Sequence, residues 1–186
     1  MAISPPDDEY PQEAHLIVQL LDAGLLRYHI RKPVGSQRAT ETLIQAVPEV
    51  YHSRLSLHHH YELSDRYEVR LHHTSHTVLG ERAARSCSLH HLSSLETALD
   101  GYDYAFLSPI FPSISKAGYG PSWTECALRA ALKPDYPTRL YALGGVQPGK
   151  LALAQSLGFE GVVLHGALWQ AADPLQVFQS FRAMVA

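Results

Sequence analysis

Short apolar segments alternate with amphipathic ones along nearly the whole chain, and this alternation constrains the fold more than any other feature of the sequence. Apolar segments bounded by Gly, Pro or polar residues predict buried strands, and the amphipathic segments between them predict crossover helices that join parallel strands. The eight predicted strands are residues 2–4, 26–30, 54–58, 67–71, 85–88, 104–107, 140–143 and 161–164.

A helix or a shortened helix is predicted after each strand, which is the pattern of the α/β class and of a small (β/α)₈ TIM barrel. One helix begins near Pro11 and ends at Gly24, and the others are predicted at residues 37–47, 92–99, 121–132, 148–157 and 174–185. Short connections around residues 59–84 let a single domain, residues 1–186, accommodate this fold. An open doubly wound sheet is the alternative, but no Gly-rich phosphate loop follows the first strand.

Composition excludes several classes of protein. The formal net charge is −3 and the 15 basic residues are scattered, so the sequence predicts no nucleic-acid partner. No apolar segment approaches the length of roughly 20 residues that a membrane span needs. Cys87 and Cys126 form no closely spaced pair. We therefore expect a cytoplasmic protein with reduced thiols.

The loop after the sixth strand carries groups suited to an anion. Ser113, Ser115 and Lys116 offer two hydroxyls and an ammonium within SPIFPSISKAGYG, a segment rich in turn-forming residues. Such groups donate hydrogen bonds to phosphate oxygens and neutralise their charge. An ordinary surface turn is the alternative reading of this segment taken alone.

Glycines at the ends of the last two strands favour the phosphate reading. Gly144 and Gly145 follow the seventh strand, and His165 and Gly166 follow the eighth. Glycine lets backbone N–H groups approach an anion closely, at the place where such barrels commonly bind phosphate. The sequence thus predicts a phosphorylated small molecule as ligand.

Histidine is over-represented: the chain has 12. The strand register directs His29, His58 and His90 toward the barrel mouth, where an imidazole can take up and return a proton near neutral pH. A zinc site built from His58 and His60, with His72 or His90 as third ligand, is an alternative. No HExxH or CxxC motif is present and carboxylates near the site are scarce, so we predict no metal site and expect most other histidines to be solvated.

A series of motifs resembles the thiamin phosphate synthase/TenI family. LRYHIRKP, LSLHHHYELS, SCSLHH, DYAFLSPIFPSISKAGYG, YALGGVQP and LGFEGVVLHGALW occur in the family's order. The resemblance covers roughly residues 25–170 and is strongest over 103–169. It implies a (β/α)₈ barrel that acts in vitamin B1 biosynthesis.

Two activities are known in the family that the chain resembles. The synthase branch joins a hydroxymethylpyrimidine diphosphate to a thiazole phosphate, releasing diphosphate with the help of Mg²⁺. The TenI branch is a thiazole tautomerase, which moves a proton on a carboxythiazole phosphate and needs no cofactor.

The resemblance also implies roles for individual residues. Arg31 falls on the arginine that holds diphosphate in the synthase, and Ser88 on a serine of the fifth strand. His90 falls on the proton-transfer histidine of the tautomerase. The phosphate residues are implied to be Ser113, Ser115, Lys116, Gly145 and Gly166, alongside the neighbouring Gly144 and His165.

The sequence departs from the synthase pattern where the metal is held. His29 replaces a glutamine and Pro33 a lysine, while His58 and His59 replace an asparagine–aspartate pair. A second Mg²⁺-binding aspartate aligns with Ser75 or a close neighbour. Imidazole is a poor ligand for Mg²⁺, which prefers carboxylate oxygen.

These departures favour the tautomerase, with His90 as the catalytic proton carrier and His29 or His58 as a second acid/base or orienting group. The synthase is the alternative and would need Mg²⁺. A non-catalytic relative that kept the phosphate site is a further alternative. The sequence leaves the oligomeric state open, and a partner subunit covering the segment 59–84 is one possibility.

Overall fold

Eight parallel strands pair in chain order to form the barrel wall. The computed structural model describes residues 1–5, 10, 12–74, 82–96, 99–112, 120, 123–132 and 136–184. A bridge between Ala2 and Leu164 joins the first strand to the end of the last, so the predicted TIM barrel is confirmed. The strands are β1 (Ala2–Ile3), β2 (Tyr28–Ile30), β3 (Leu55–Leu57), β4 (Arg70–His73), β5 (Ser86–Leu89), β6 (Tyr104–Leu107), β7 (Arg139–Leu143) and β8 (Gly161–Val163).

Helices lie between most of the strands, although several are short. The α-helices in the described part of the chain are α1 (Glu13–Asp22), α2 (Gln37–Ala46), α3 (Glu125–Ala131), α4 (Leu151–Ser156), α5 (Gly166–Trp169) and α6 (Pro174–Ala183). Segments of 3₁₀ helix occupy Glu49–Arg54, Tyr61–Asp65, Leu92–Glu96 and Pro148–Lys150. None of the described helices is long and apolar enough to cross a membrane.

The core is divided into two layers because successive strand residues point to opposite faces. Outward-facing residues such as Tyr28, Leu55 and Leu107 pack beneath the helices in one large apolar cluster. A second cluster fills part of the barrel interior and consists of Ile3, Tyr104, Phe106, Tyr141 and Val163. These inward residues come from β1, β6, β7 and β8.

The rest of the interior is polar. Strands β2 to β5 and the residue that follows β3 contribute buried His29, Ser56, His58, His72 and Ser86. The barrel therefore has one apolar half and one half lined by imidazoles and hydroxyls, and this asymmetry creates the candidate site.

Two sequence predictions about the elements were wrong in detail. The strand predicted at 67–71 lies at Arg70–His73, so His72 and His73 belong to β4 rather than to the loop after it. The helix predicted at 92–99 is a 3₁₀ segment that ends at Glu96 within the described residues. The first error arose because apolar Tyr67 and Val69 look more strand-like than the histidines that are in fact paired.

Candidate functional site

Three histidines meet inside the barrel near the carboxyl ends of β2, β3 and β4. His29 and His72 are 0% exposed and His58 is 3% exposed. The rings of His58 and His72 stack with centroids 4.0 Å apart, and the His29 ring lies edge-on to both. One nitrogen from each ring lies within 4.8 Å of the other two. The sequence predicted inward positions for His29 and His58, and the register of β4 adds His72.

A chain of hydrogen bonds connects two of these histidines to the apolar half of the barrel. His29 Nδ1 lies 3.0 Å from His58 Nε2, and His29 Nε2 lies 2.9 Å from the Tyr104 hydroxyl. The same hydroxyl lies 3.5 Å from Ser56 Oγ. At the other end of this series of hydrogen bonds, His58 Nδ1 is buried and has no hydrogen-bond partner among the described residues.

His72 is held between two serines of the next strand. Its Nδ1 lies 2.8 Å from Ser86 Oγ and its Nε2 lies 2.8 Å from Ser88 Oγ. A neutral imidazole has one N–H and one lone pair, so one hydroxyl donates to the ring and the other accepts from it. Ser88, predicted as a substrate residue, thus contacts the histidine cluster directly.

Burial keeps this cluster uncharged at neutral pH. Burial lowers the pKa of His29 and of His58 well below the ordinary value, and neighbouring His72 lowers both further. Burial likewise lowers the pKa of His72 to about 3. The site therefore presents neutral imidazoles, because the charged forms cannot be solvated there.

His90 lies apart from the cluster, beyond the end of β5, and is exposed. Its Nδ1 lies 3.1 Å from the Ser108 backbone oxygen and 3.1 Å from Ser108 Oγ. A carbonyl oxygen can only accept, so Nδ1 carries the proton and the neutral ring keeps its lone pair on Nε2. The backbone thereby holds His90 in the tautomer that a general base needs.

Two basic residues after β2 have different environments. The backbone N–H of Arg31 donates to Ser4 Oγ. Burial lowers the pKa of His59, and the half-buried Arg31 side chain lowers it further. Burial is also the main cause of the low pKa of His58, followed by His72, His29 and then Arg31. Lys32 is 3% exposed and forms a 2.6 Å ion pair with Glu13. Arg31 is thus the better placed of the two to meet a ligand anion.

The backbone after β7 adopts a left-handed conformation that favours glycine, at a point where a neighbouring loop comes close. Gly144 and Gly145 have φ of +93° and +64°. A Cβ on Gly145 would lie 2.2 Å from the Pro112 oxygen, so the loops after β6 and β7 touch here. The N–H of Phe111 donates to the Gly144 oxygen and links the same two loops.

Two of the remaining predicted phosphate residues, His165 and Gly166, lie near the glycines that follow β7. Because Leu143 of β7 is in register with Val163 of β8, the half-buried His165 and Gly166 follow β8 at the same end of the barrel as Gly144 and Gly145. Ser113, Ser115 and Lys116 lie outside the described residues, as does Ser75.

The pairing of His58 with His60 does not occur. β3 ends at Leu57, and His60 adopts a left-handed backbone with φ of +56°. Its Nε2 lies 3.1 Å from the Gly35 oxygen, away from the cluster. The i, i+2 rule holds only within a strand, which explains the error.

Tyr104, Ser56 and Ser86 were not identified from the sequence as site residues. Ser56 and Ser86 are buried in the polar half of the interior, and Tyr104 is buried at the boundary between the two halves. The alternation of inward and outward positions along β6, which was predicted with the correct bounds, would have placed Tyr104 inside the barrel.

Comparison with known proteins bears on the family. No protein-family model matches the chain. A thiamine-phosphate synthase of Listeria welshimeri is 31% identical over 88 residues, a segment that covers 46% of this chain and 42% of that protein. The crystal structure of a thiamine phosphate pyrophosphorylase from Bacteroides thetaiotaomicron superimposes with a TM-score of 0.83 and 26% identity, covering 99% of this chain and 95% of the other. In sequence and in fold, the chain is similar to members of the thiamin phosphate synthase/TenI family.

A more distant structure agrees on the fold. The thiamine phosphate pyrophosphorylase from Pyrococcus furiosus has a TM-score of 0.78 and 14% identity, covering 99% of this chain and 93% of that one. At this identity the likeness concerns the barrel alone.

The described residues do not fit the Mg²⁺ that the resemblance to the synthase branch implies. Within the described ranges, the group able to hold a metal consists of three imidazoles and contains no carboxylate. Mg²⁺ takes oxygen ligands in octahedral geometry and binds imidazole poorly. No step of the chemistry is therefore assigned to Mg²⁺.

Proposed function

We propose that the chain is a transferase of the thiamin phosphate synthase type, which joins a hydroxymethylpyrimidine diphosphate to a thiazole phosphate and releases diphosphate. The observation that carries this proposal is the likeness to the Bacteroides thetaiotaomicron thiamine phosphate pyrophosphorylase over 99% of the chain. The sequence favoured the tautomerase, but the names of the similar proteins support the transferase instead.

Arg31 is the proposed diphosphate-binding residue. Its guanidinium is permanently charged and matches the geometry of phosphate oxygens. The neighbouring histidines are neutral, and Lys32 is engaged by Glu13, so Arg31 supplies positive charge at the end of β2. Neutralising the leaving diphosphate at this position lowers the barrier for its departure.

The thiazole phosphate is proposed to bind at the ends of β7 and β8. The loops that begin at Gly144 and His165 emerge side by side from paired strands, and both contain glycine. Phosphate bound there would hold the heterocycle over the mouth of the barrel, beside the polar half. Ser113, Ser115 and Lys116 are proposed to complete this anion site.

Tautomerase activity is a second candidate, favoured by the geometry of His90. The Ser108 carbonyl fixes the proton on Nδ1 of that ring, so Nε2 is available to remove a proton from a bound ligand. Such a reaction needs positioning and one proton carrier. His29 and His58 are less suited to proton transfer, because burial holds the pKa of both well below the range of the ordinary imidazole.

The first experiment measures thiamin phosphate formed from the pyrimidine diphosphate and the thiazole phosphate in the presence of Mg²⁺, with an authentic synthase as positive control. Product is expected, and Arg31→Gln should reduce kcat/KM by about 100-fold, the scale of losing a bidentate charged contact. Arg38→Gln, which changes an exposed arginine on α2, is the matched control and should retain parental activity. Absence of product with an active control would contradict the transferase.

The second experiment offers a carboxythiazole phosphate to the same preparations. If the chain is a tautomerase, product forms and His90→Ala abolishes turnover while phosphate-ligand binding persists. His91→Ala, which changes the exposed neighbour, is the control and should have no effect. Turnover of this substrate by His90→Ala at the parental rate would remove the role proposed for His90.

A further inference from the structure

The polar half of the barrel interior contains a set of donors that the transfer reaction does not use. His29, His58 and His72 converge from three adjacent strands, and one nitrogen from each lies within 4.8 Å of the others. We propose that these three histidines bind one transition-metal ion of the zinc class inside the barrel.

One pair of nitrogens in the cluster already has nearly the spacing found around a bound ion. Zn²⁺ binds imidazole nitrogen at about 2.0–2.1 Å, which places ligand atoms of a tetrahedral site about 3.3 Å apart. His29 Nδ1 and His58 Nε2 are already 3.0 Å apart. Because both rings are neutral, one proton lies between these nitrogens, and a metal ion would take its place with a small separation of the rings.

Groups behind the ligands are arranged to orient them. Metal-bound histidine commonly donates its second ring N–H to a neighbouring oxygen, which fixes the tautomer. The Tyr104 hydroxyl lies 2.9 Å from His29 Nε2, and Ser86 Oγ lies 2.8 Å from His72 Nδ1. The other nitrogen of His29 lies beside His58. The other nitrogen of His72 lies 2.8 Å from Ser88 Oγ, so an ion bound to His72 Nε2 would take the place of that hydrogen bond.

His58 is the least satisfied of the three rings. It is 3% exposed, yet its Nδ1 has no hydrogen-bond partner among the residues that the structure describes. A buried polar atom is normally paired. The two nitrogens of an imidazole point in diverging directions, so Nδ1 is not the atom that would bind an ion beside His29; its burial is a cost that metal binding at Nε2 would offset. His52 shows the contrast, because it is equally buried and its Nε2 lies within hydrogen-bond distance of the Ile44 and Val47 oxygens.

The donor set selects the class of metal. Three imidazoles without a carboxylate suit Zn²⁺, Co²⁺ or Ni²⁺ and disfavour Mg²⁺. Three protein ligands also leave a fourth position open, as in catalytic zinc sites. Ser88, half-buried and 2.8 Å from His72 Nε2, lies next to that position.

The test measures metal binding directly and does not depend on any substrate. The chain is prepared without a polyhistidine tag, stripped with a chelator, and titrated with Co²⁺ and then with Zn²⁺ in competition with a chromophoric chelator. One equivalent of Co²⁺ should bind and give the visible absorption of a four-coordinate ion, and Zn²⁺ should displace it while millimolar Mg²⁺ should not.

Variants assign the site. His72→Gln should weaken Zn²⁺ binding by at least 100-fold, and His15→Gln, which alters an exposed histidine of α1, should leave it unchanged. Tyr104→Phe keeps the ring and removes the hydroxyl behind His29, so affinity should fall by about 10–100-fold. If circular dichroism shows that His72→Gln does not fold, the Zn²⁺ affinity of Tyr104→Phe tests the proposal instead.

Three results would overturn the proposal: no stoichiometric Co²⁺ uptake, binding with octahedral spectra alone, or binding that persists in folded His72→Gln and Tyr104→Phe. None of these results depends on whether thiamin phosphate is formed, so failure of this proposal is distinguishable from failure of the proposed transferase.

Discussion

Among single residues, Gly145 illustrates how closely the loops after β6 and β7 approach each other. Its φ is +64°, and a Cβ there would meet the backbone oxygens of Pro112 at 2.2 Å and Phe111 at 2.5 Å. Backbone atoms cannot move aside as a flexible side chain would. The glycine is therefore needed for the fold, whatever part it takes in binding phosphate.

Gly145→Ala should destabilise the protein by about 2 kcal/mol or more, because left-handed strain adds to the contact with Pro112. Urea unfolding followed by circular dichroism measures this change. Gly149→Ala is the control: a Cβ at that position would meet no atom within 4 Å, and the expected change is below about 1 kcal/mol. Equal stability of the two variants would contradict the packing described.

Sequence reasoning located part of the candidate site and missed the rest for a definite reason. His29 and His58 were predicted to face inward because strand alternation fixes their side. Tyr104 was not, although its strand was correctly bounded, because an aromatic residue in an apolar strand reads as ordinary core. Pairing of the Tyr104 hydroxyl with His29 depends on strands 75 residues apart in sequence, which no local pattern encodes.

Between elements, a buried ion pair connects α1 to the end of β2. Glu13 is 4% exposed; it accepts from Lys32 Nζ at 2.6 Å and from the Tyr28 hydroxyl at 2.7 Å. The first residue of α1 is thereby joined to two residues at one edge of the barrel. Breaking such a pair from one side leaves a buried charge without its counterion.

Lys32→Met should therefore lower the free energy of unfolding by about 3 kcal/mol, since the buried Glu13 carboxylate would lose the ammonium group of Lys32. Chemical denaturation is the measurement. Lys150→Met makes the same substitution at an exposed position above the Phe111 ring and should cost less than about 1 kcal/mol. A loss no larger than in this control would indicate that the Glu13–Lys32 pair is not a net source of stability.

Prediction of the elements succeeded where hydropathy and burial agree. All four residues of β6 are buried and apolar or aromatic, and that strand was predicted with its observed bounds. β4 was placed too early because its inward residue His72 is polar yet 0% exposed. Burial of a histidine follows from partners on the neighbouring strand, so the sequence of β4 alone does not indicate it.

For the molecule as a whole, the buried histidines predict acid sensitivity. Each of His29, His58 and His72 has a folded-state pKa below its ordinary value of 6.5, so the unfolded chain binds more protons at mildly acidic pH. Stability is then complete above about pH 6.5 and falls as the pH decreases, by about 1.4 kcal/mol per pH unit for each histidine. For His72 this loss continues until its folded pKa of about 3.

Urea unfolding of the metal-free chain between pH 7.5 and pH 5 measures this slope. His72→Gln should reduce the slope of the free energy of unfolding against pH by about 1.4 kcal/mol per pH unit, the contribution of one histidine. His15→Gln, on the exposed face of α1, should leave the slope unchanged. A free energy of unfolding that stays constant over this range would contradict the burial of three neutral imidazoles.

The bridge between Ala2 and Leu164 has a consequence for the order of assembly. The N–H of Ile3 donates to Leu164, and the N–H of Leu164 donates to Met1, so the two edges of the sheet are joined across almost the entire chain. During synthesis on a ribosome, β1 leaves the exit tunnel long before β8 is made. Until then its outer edge has no strand to pair with, so the cylinder cannot close before β8 has been synthesised.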